Sequence, residues 1–279
     1  MALAAHQRTT VTELSDDVEV PTWAFKPDGW SDAFLKGLSP QSEEWGEKKV
    51  WEVGVGTGIN LIKLAKQAPQ ATFYFSDYDA RCVPLARQNI SAAGLPKTQF
   101  RPLFGSWDLV KPAPGGWKAP TVDIVFACIP QVPATTLHKA AEDEVAHYYD
   151  PKRYDESTLH CCGLGLNEAL LKQARGVLTP EGTTILNLGG RPGIDRLFAM
   201  FQSCGYTPQV LHEEVVAQHA ETSLLPLAQL ERAGNPDFEF FTDIEAQVCV
   251  NARTAEERRR EGLPLFHKIY VIAGSLRPS

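Results

Sequence analysis

Short apolar runs alternate with amphipathic stripes along most of this chain. Val50–Val53, "ATFYFS" (71–76), "TQFRPLFG" (98–105), "VDIVFACIP" (122–130), "TTILNLGG" (183–190), "PQVLHEEVV" (208–216) and "FHKIYVIAGSL" (266–276) read as seven strands. The run at 122–130 is continuously apolar, as a strand covered on both faces requires. Between the strands, Leu61, Leu64 and Ala65 form one helical stripe. "VPLARQNISAAG" forms a second, closed at Gly94. Leu166, Leu170, Ala174 and Val177 form a third, and Ile194, Leu197, Phe198 and Phe201 a fourth that stops at Gly205. Strands alternating with helices predict an α/β fold, a doubly wound and mostly parallel sheet. Ligands in such sheets bind beyond the carboxyl ends of the strands. The loops after Val53, Ser76, Gly105, Ala127 and Leu188 are therefore expected to line one site. Residues 1–45 break the alternation and read as an N-terminal cap segment. Residues 46–279 read as the main domain, with insertions near 131–160 and 217–263.

Composition narrows the function. The 279 residues are 43% hydrophobic and 22% charged, with a net charge of −7. That balance suits a globular domain and disfavours a nucleic-acid partner, which calls for a basic stripe. No apolar run reaches the roughly 18–20 residues of a membrane span. The N-terminus lacks a charged start followed by an apolar core, so a cytoplasmic location is expected. None of the six cysteines forms a C-x-x-C pair, and they are expected to be free thiols. "HCC" (160–162) invites a metal reading, but adjacent cysteines ligate one tetrahedral ion poorly and no second ligand pair is visible. No metal is expected.

The candidate chemistry starts at "VWEVGVGTGIN" (50–60). A strand runs into Glu52-x-Gly54-x-Gly56-Thr57-Gly58, a spacing one residue short of the dinucleotide fingerprint G-x-G-x-x-G. It resembles the first motif of class I S-adenosylmethionine-dependent methyltransferases. Glycine lets backbone approach a ligand closely. Asp77 ends the second strand about 20 residues on, where a carboxylate accepts ribose hydroxyls. Tyr78 follows it. "GSWDL" (105–109) ends the third strand, where such enzymes hold the adenine: Asp108 suits the exocyclic amine, and Ser106 or Trp107 the ring border. A turn or helix-cap role is the plain alternative for Asp77. The resemblance implies a Rossmann-like fold of seven strands, mostly parallel with an antiparallel late strand, capped by insertions, and S-adenosylmethionine as methyl donor.

The acceptor is read at the fourth strand. Many amide and amine methyltransferases end it in N-P-P-Y, and here Cys128-Ile129-Pro130-Gln131 stand instead, leaving a less polar rim. "ACIPQV", "GLGLNEALLKQA", "NLGGRPG" (187–193), "FEFF" (238–241) and "NARTA" (251–255) resemble blocks of the methyltransferase domain of methionine S-methyltransferases, and the likeness extends over nearly the whole chain. The glycine motif and Asp77 are generic to the superfamily, whereas "CIPQ", "GGRPG", "FEFF" and "ARTA" together are specific. Plant members carry a large further aminotransferase-like region with no counterpart in these 279 residues. Asp79 departs from the family, where asparagine is common. The resemblance implies methylation of the thioether of free L-methionine to S-methylmethionine, an entry step towards dimethylsulfoniopropionate.

In that reaction a neutral sulfur becomes a sulfonium while a sulfonium becomes a thioether. No proton moves, so no general base is needed. The expected contributions are positioning and exclusion of water. Aromatic faces and carboxylates stabilise sulfonium, and "HYYDPKRYDE" (147–156) supplies Tyr148, Tyr149, Tyr154 and Asp150. The substrate carboxylate calls for an arginine fork: Arg191, with Arg253 as competitor. Asp150, Glu168 or Asn187 are candidates for the ammonium. Each has a plain alternative: a solvated loop for the tyrosines, a salt bridge for Arg191, the charged run for Arg253. The rival enzyme reading is N-methylation of a protein amide or small amine. A non-catalytic binding module is disfavoured by the intact glycines and Asp77. A homodimer is a general expectation for such an enzyme.

Overall fold

The computed structural model describes residues 18–112, 118–131, 159–220, 222–232 and 237–277. All seven strands expected from the sequence are present: β1 (Lys49–Val53), β2 (Thr72–Ser76), β3 (Phe100–Pro102), β6 (Val122–Ala127), β7 (Leu178–Gly189), β8 (Tyr206–Ala217) and β11 (Phe266–Leu276). The main sheet holds nine strands rather than seven. Two two-residue strands within the 217–263 insertion, β9 (Phe240–Phe241) and β10 (Cys249–Val250), extend it and are too short to leave a periodic signal. A separate two-stranded ribbon joins β4 (Trp107–Asp108) to β5 (Lys111–Pro112). The strand order is β10-β9-β11-β7-β6-β1-β2-β3, with β8 on the other side of β11. β3, β2, β1, β6 and β7 are mutually parallel. β11 runs antiparallel to both β7 and β8, and is the reversed late strand. Some expected strands shorten: 98–105 contracts to Phe100–Pro102, and 122–130 stops before the proline turn.

Helices cover both faces. On one lie α1 (Gly29–Ser42), α2 (Ile59–Gln67) and α3 (Cys82–Ala92). Their apolar faces meet Val50, Phe73, Phe75, Ile124, Phe126, Ile185 and Val271 of the sheet. Against the other pack α4 (Gly165–Ala174) and α5 (Ile194–Ser203), over Trp51, Val125, Leu186, Leu188 and Ile272. Strand side chains alternate between these faces, which is why Val50 and Trp51 belong to different cores. Full burial of side chains such as Phe34, Leu38 or Phe126 contributes about 1.5–3 kcal/mol each. α1 comes close to the sheet at Gly37, where a Cβ would stand 2.6 Å from that of Val271. The side chain of Asp28 caps α1, accepting from the Trp30 amide at 3.0 Å.

The 217–263 insertion is more ordered than its sequence suggests. It contains α6 (Leu225–Arg232) and α7 (Ala252–Arg260). Glu231 joins them, its carboxylate accepting from the Phe238, Ala252 and Arg253 amides. β9 meets β11 at Phe266, beyond the point where β7 ends. The Glu239 amide donates to the Arg191 carbonyl at 2.8 Å. The insertion therefore stands over the carboxyl end of β7. Among the described residues no helix is long and apolar enough to cross a membrane.

Candidate active site

The parallel strands all end on one side, and most of the sequence-predicted groups before residue 131, with Asn187 and Arg191, gather there. The glycine turn follows β1, and its three glycines do three things. Gly58 has a positive φ of 79°, and a Cβ on it would stand 2.9 Å from that of Ala86, so it sets the approach of α3. Gly54, at φ 78°, faces Ile129, whose Cγ2 would be 3.0 Å from an added Cβ. Gly56, at φ 52°, would meet nothing within 4 Å. Open space over a left-handed backbone position is the cradle a ligand needs. Thr57 is buried, and its carbonyl accepts from Asn89 Nδ2 at 2.9 Å. Asn89 also holds the backbone of Glu19, so the segment before α1 lies across the glycine turn.

Asp77 pins that turn. Its two carboxylate oxygens accept from the Gly56 amide and the Asp79 amide, both at 2.9 Å. Burial pushes its carboxyl up, and these two donors pull it back. Asp79 is engaged locally with Arg81 in a multiply bonded pair. The Arg81 guanidinium lies 4.3 Å from the centre of the Trp23 ring. Ser106 Oγ donates to the Tyr78 carbonyl at 2.7 Å, joining the loops after β2 and β3. Trp107 is 2% exposed and packs edge-on against Trp51 at 5.4 Å. Its ring is part of the core, which leaves Ser106 and Asp108 as the polar side chains of that edge.

Glu52 is the buried acid beside this turn. It is 1% exposed, and Oε1 accepts from Asn60 Nδ2 at 2.8 Å, while Oε2 has no partner. Burial pushes its carboxyl up to about 8, against the Asn60 hydrogen bond and with a further push from Asp77. A buried, half-satisfied carboxyl that ionises when a cation arrives, beside an open glycine cradle, fits a cationic ligand with an amino group. S-adenosylmethionine carries both a sulfonium and an ammonium, so the residues fit the donor.

A second cluster of polar groups forms where β6 and β7 end, under the first turn of α1. Gln131 grips Gly189 from both sides: Oε1 accepts from the Gly189 amide at 2.9 Å and Nε2 donates to its carbonyl at 3.0 Å. This clamp ties "CIPQ" to "GGRPG". Asn187 Nδ2 donates to the Trp30 carbonyl at 2.9 Å and to Cys128 Sγ at 3.3 Å, and its Oδ1 is buried without a partner. Burial pushes the Cys128 thiol up to about 12, so it stays protonated at neutral pH. Arg191 has a fully enclosed Nε with no partner. Burial lowers its guanidinium to about 10, which leaves it charged at neutral pH. Across from it on β11 is His267, 2% exposed, with neither ring nitrogen hydrogen-bonded. Burial and the neighbouring Arg191 charge hold its imidazole well below the ordinary histidine range, hence neutral. The Trp30 ring lies 5.7 Å from the His267 ring and covers Gly189.

Tyr148, Tyr149, Asp150 and Tyr154 lie outside the described residues. Arg253 is placed on the exposed face of α7. Glu168 pairs with Lys172 along α4. Sequence reasoning missed Trp30, Gln131 and His267. Asp28 two residues before Trp30 marks a helix start, and His267 is a lone imidazole in an apolar strand; those were the available signals. Two clefts, of about 410 Å³ beside Lys48 and Asp123 and about 760 Å³ beside Pro84 and Phe104, include none of Glu52, Arg191 and His267. The unsatisfied polar groups, rather than void size, locate the chemistry. Among the described residues no group of three or more His, Cys, Asp or Glu could hold a metal.

The fold and this site resemble those of class I methyltransferases, whose methyl donor is S-adenosylmethionine. Residues 30–127 match the family model described as lysine methyltransferase. The resemblance read from the sequence is borne out over almost the whole chain. It is 27% identical over 283 residues to the methionine S-methyltransferase of Hordeum vulgare, covering 93% of this chain and 26% of that one. To the methionine S-methyltransferase of Arabidopsis thaliana it is 25% identical over 279 residues, covering 91% and 25%. The chain thus spans about a quarter of the length of these curated relatives. Among solved structures, the YcgJ protein from Bacillus subtilis superposes with a TM-score of 0.50 at 15% identity, covering 88% of this chain and 99% of that one, a likeness of fold.

Proposed function

We propose that this protein transfers the methyl group of S-adenosylmethionine to the thioether sulfur of free L-methionine, giving S-methylmethionine and S-adenosylhomocysteine. The observation that carries the reading is Arg191: a half-buried arginine whose enclosed Nε has no partner. Leaving part of a guanidinium desolvated and unpaired is costly, and a substrate carboxylate offsets that cost. A free amino acid brings an α-carboxylate beside its ammonium, whereas a lysine or methionine within a protein chain has neither group free. Similarity along 91–93% of the chain to proteins named methionine S-methyltransferase supports the same acceptor.

Glu52 holds the donor's cationic end, Gly54, Gly56, Thr57 and Gly58 cradle it, and Asp77 with Tyr78, Ser106 and Asp108 border its nucleoside. When bound, the cofactor supplies a sulfonium-activated methyl group. The chain's task is to align that methyl carbon with the acceptor sulfur and keep water out. Alignment of two bound reactants is worth several kcal/mol. Cys128 and Ile129 form the rim between donor and acceptor. Cys128 stays protonated and His267 resists protonation beside Arg191, so neither serves as a base, consistent with a reaction that moves no proton. The face of Trp30 is available to a sulfonium, at about 1 kcal/mol for such a contact. The reaction would open a route to dimethylsulfoniopropionate.

A second reading has one observation behind it: the family description over residues 30–127 names lysine methylation. That match covers the donor half and stops before Cys128, Gln131, Asn187, Arg191 and His267, which make the acceptor half. Incubation with methyl-labelled S-adenosylmethionine and either free amino acids or lysine-bearing peptides separates the two. Label on methionine sulfur supports the first, and label on a lysine amine the second.

A further inference from the structure

Arg191 accounts for only part of what is unsatisfied at the acceptor end. His267 is buried at 2% exposure, yet an imidazole in the core normally uses both nitrogens. Here neither nitrogen has a partner, and the ring is held between Trp30 and the Arg191 charge. Its place on β11 is specific. Ile269 pairs with Gly189 across β7, and the Gly190 amide donates to the Lys268 carbonyl at 2.7 Å. His267 therefore lies beside the "GGRPG" turn, on the same sheet face as Asn187 and α1. A third unsatisfied atom, Asn187 Oδ1, belongs to the same face.

These groups complement one another. A neutral imidazole offers one N–H donor and one lone-pair acceptor. A zwitterionic α-amino acid offers a carboxylate acceptor beside an ammonium donor. Arg191 alone selects any carboxylate. An imidazole with an unpaired acceptor nitrogen, next to that guanidinium, also distinguishes acids that carry an α-ammonium from those that do not. Leaving a buried acceptor unpaired penalises the analogue lacking the donor, which is how polar sites reject near-isosteres. A protonated histidine would lose that acceptor and repel the ammonium, so the adjacent Arg191 charge has a use: it keeps the ring neutral.

We propose that His267 is a specificity-determining residue that reads the zwitterionic head of the amino-acid acceptor jointly with Arg191: the guanidinium takes the carboxylate, and the unprotonated ring nitrogen of His267 accepts from the ammonium. The inference rests on free methionine as acceptor. The test compares methionine with 4-(methylthio)butanoic acid, which keeps the thioether and the carboxylate and lacks the ammonium. The full-length native protein should prefer methionine by at least about 100-fold in kcat/KM. In His267→Leu that preference should fall to about tenfold or less, through a higher methionine KM with kcat changed less than about threefold. S-adenosylmethionine affinity should stay within about twofold. His267→Gln, which keeps a donor and an acceptor, should recover part of the preference, and it carries the test should the leucine variant fail to fold. A native-like preference in a folded leucine variant, or in His267→Phe, which also removes both nitrogens, overturns the inference. Native protein that methylates neither compound overturns the proposed function and this inference with it; native methylation of methionine with unaltered selectivity in the variants overturns this inference alone.

Discussion

Replacing Glu52 by glutamine should move stability and donor affinity in opposite directions. Glu52 titrates near 8 in the folded protein against an ordinary 4.5, because burial disfavours its charge and only one oxygen is bonded. The sign follows from linkage. A carboxyl raised on folding makes the native state bind more protons than the unfolded chain, so this group's contribution to stability falls as pH rises from about 4.5 and levels off above about 8. The displacement is about 3.5 pH units, and at about 1.36 kcal/mol per unit the full cost reaches roughly 5 kcal/mol. Glutamine keeps the Asn60 hydrogen bond and removes the charge. Chemical unfolding of the unliganded proteins at pH 5 and pH 9 should therefore show the Glu52→Gln variant gaining several kcal/mol relative to native between the two pH values. Donor binding should weaken tenfold or more. Calorimetry at pH 7 in buffers of different ionisation enthalpy should show native protein releasing about 0.9 proton on binding S-adenosylmethionine, as a cation beside Glu52 drives it to the carboxylate, and the variant releasing none. A stability difference that does not change with pH, or equal proton release by both proteins, refutes this reasoning.

Gly56→Val should abolish donor binding while leaving a folded protein, since the added side chain enters open space at a left-handed position; calorimetry and circular dichroism check both halves. Asp77→Ala should cost about 1–3 kcal/mol of donor affinity, because it frees the Gly56 amide as well as removing a hydrogen-bonding carboxylate. Arg191→Lys should raise the methionine KM about tenfold or more with donor affinity little changed, because a lysine cannot reproduce the guanidinium fork; normal methionine kinetics would make Arg191 structural. Cys128→Ser should keep kcat within about tenfold, since a thiol held protonated attacks nothing; total loss in a folded variant would give it a chemical role.

Much of the fold was legible because its signals are local. The seven strands announced themselves by apolar runs, and Gly94 and Gly205 marked helix ends. β9 and β10 were not legible, because two residues carry no period and they exist only where the insertion meets Phe266. The proposed donor site was equally readable as a place in the fold, since Glu52, the glycines and Asp77 lie within one βαβ unit whose order fixes their placement. The acceptor site was not. It brings together α1, the turn after β6, the end of β7 and the start of β11, up to about 240 residues apart in sequence. Arg191 stood out by its glycine neighbours, whereas Gln131 gained meaning only when its amide was found gripping Gly189. Trp107 looked like a ring border because it adjoins Ser106, but alternation in β4 turns it into the core against Trp51.

The central claim is transfer of a methyl group to a neutral sulfur. Its most direct measurement is product identification by mass spectrometry and nuclear magnetic resonance after incubation of the purified protein with 13C-methyl S-adenosylmethionine and a mixture of free amino acids, repeated from pH 7 to 9. The account predicts one labelled product, methionine bearing a second S-methyl group, with a saturated rate that shows no single-proton rise across that range. Label on a nitrogen, or a rate that climbs with deprotonation of an amine, would contradict it.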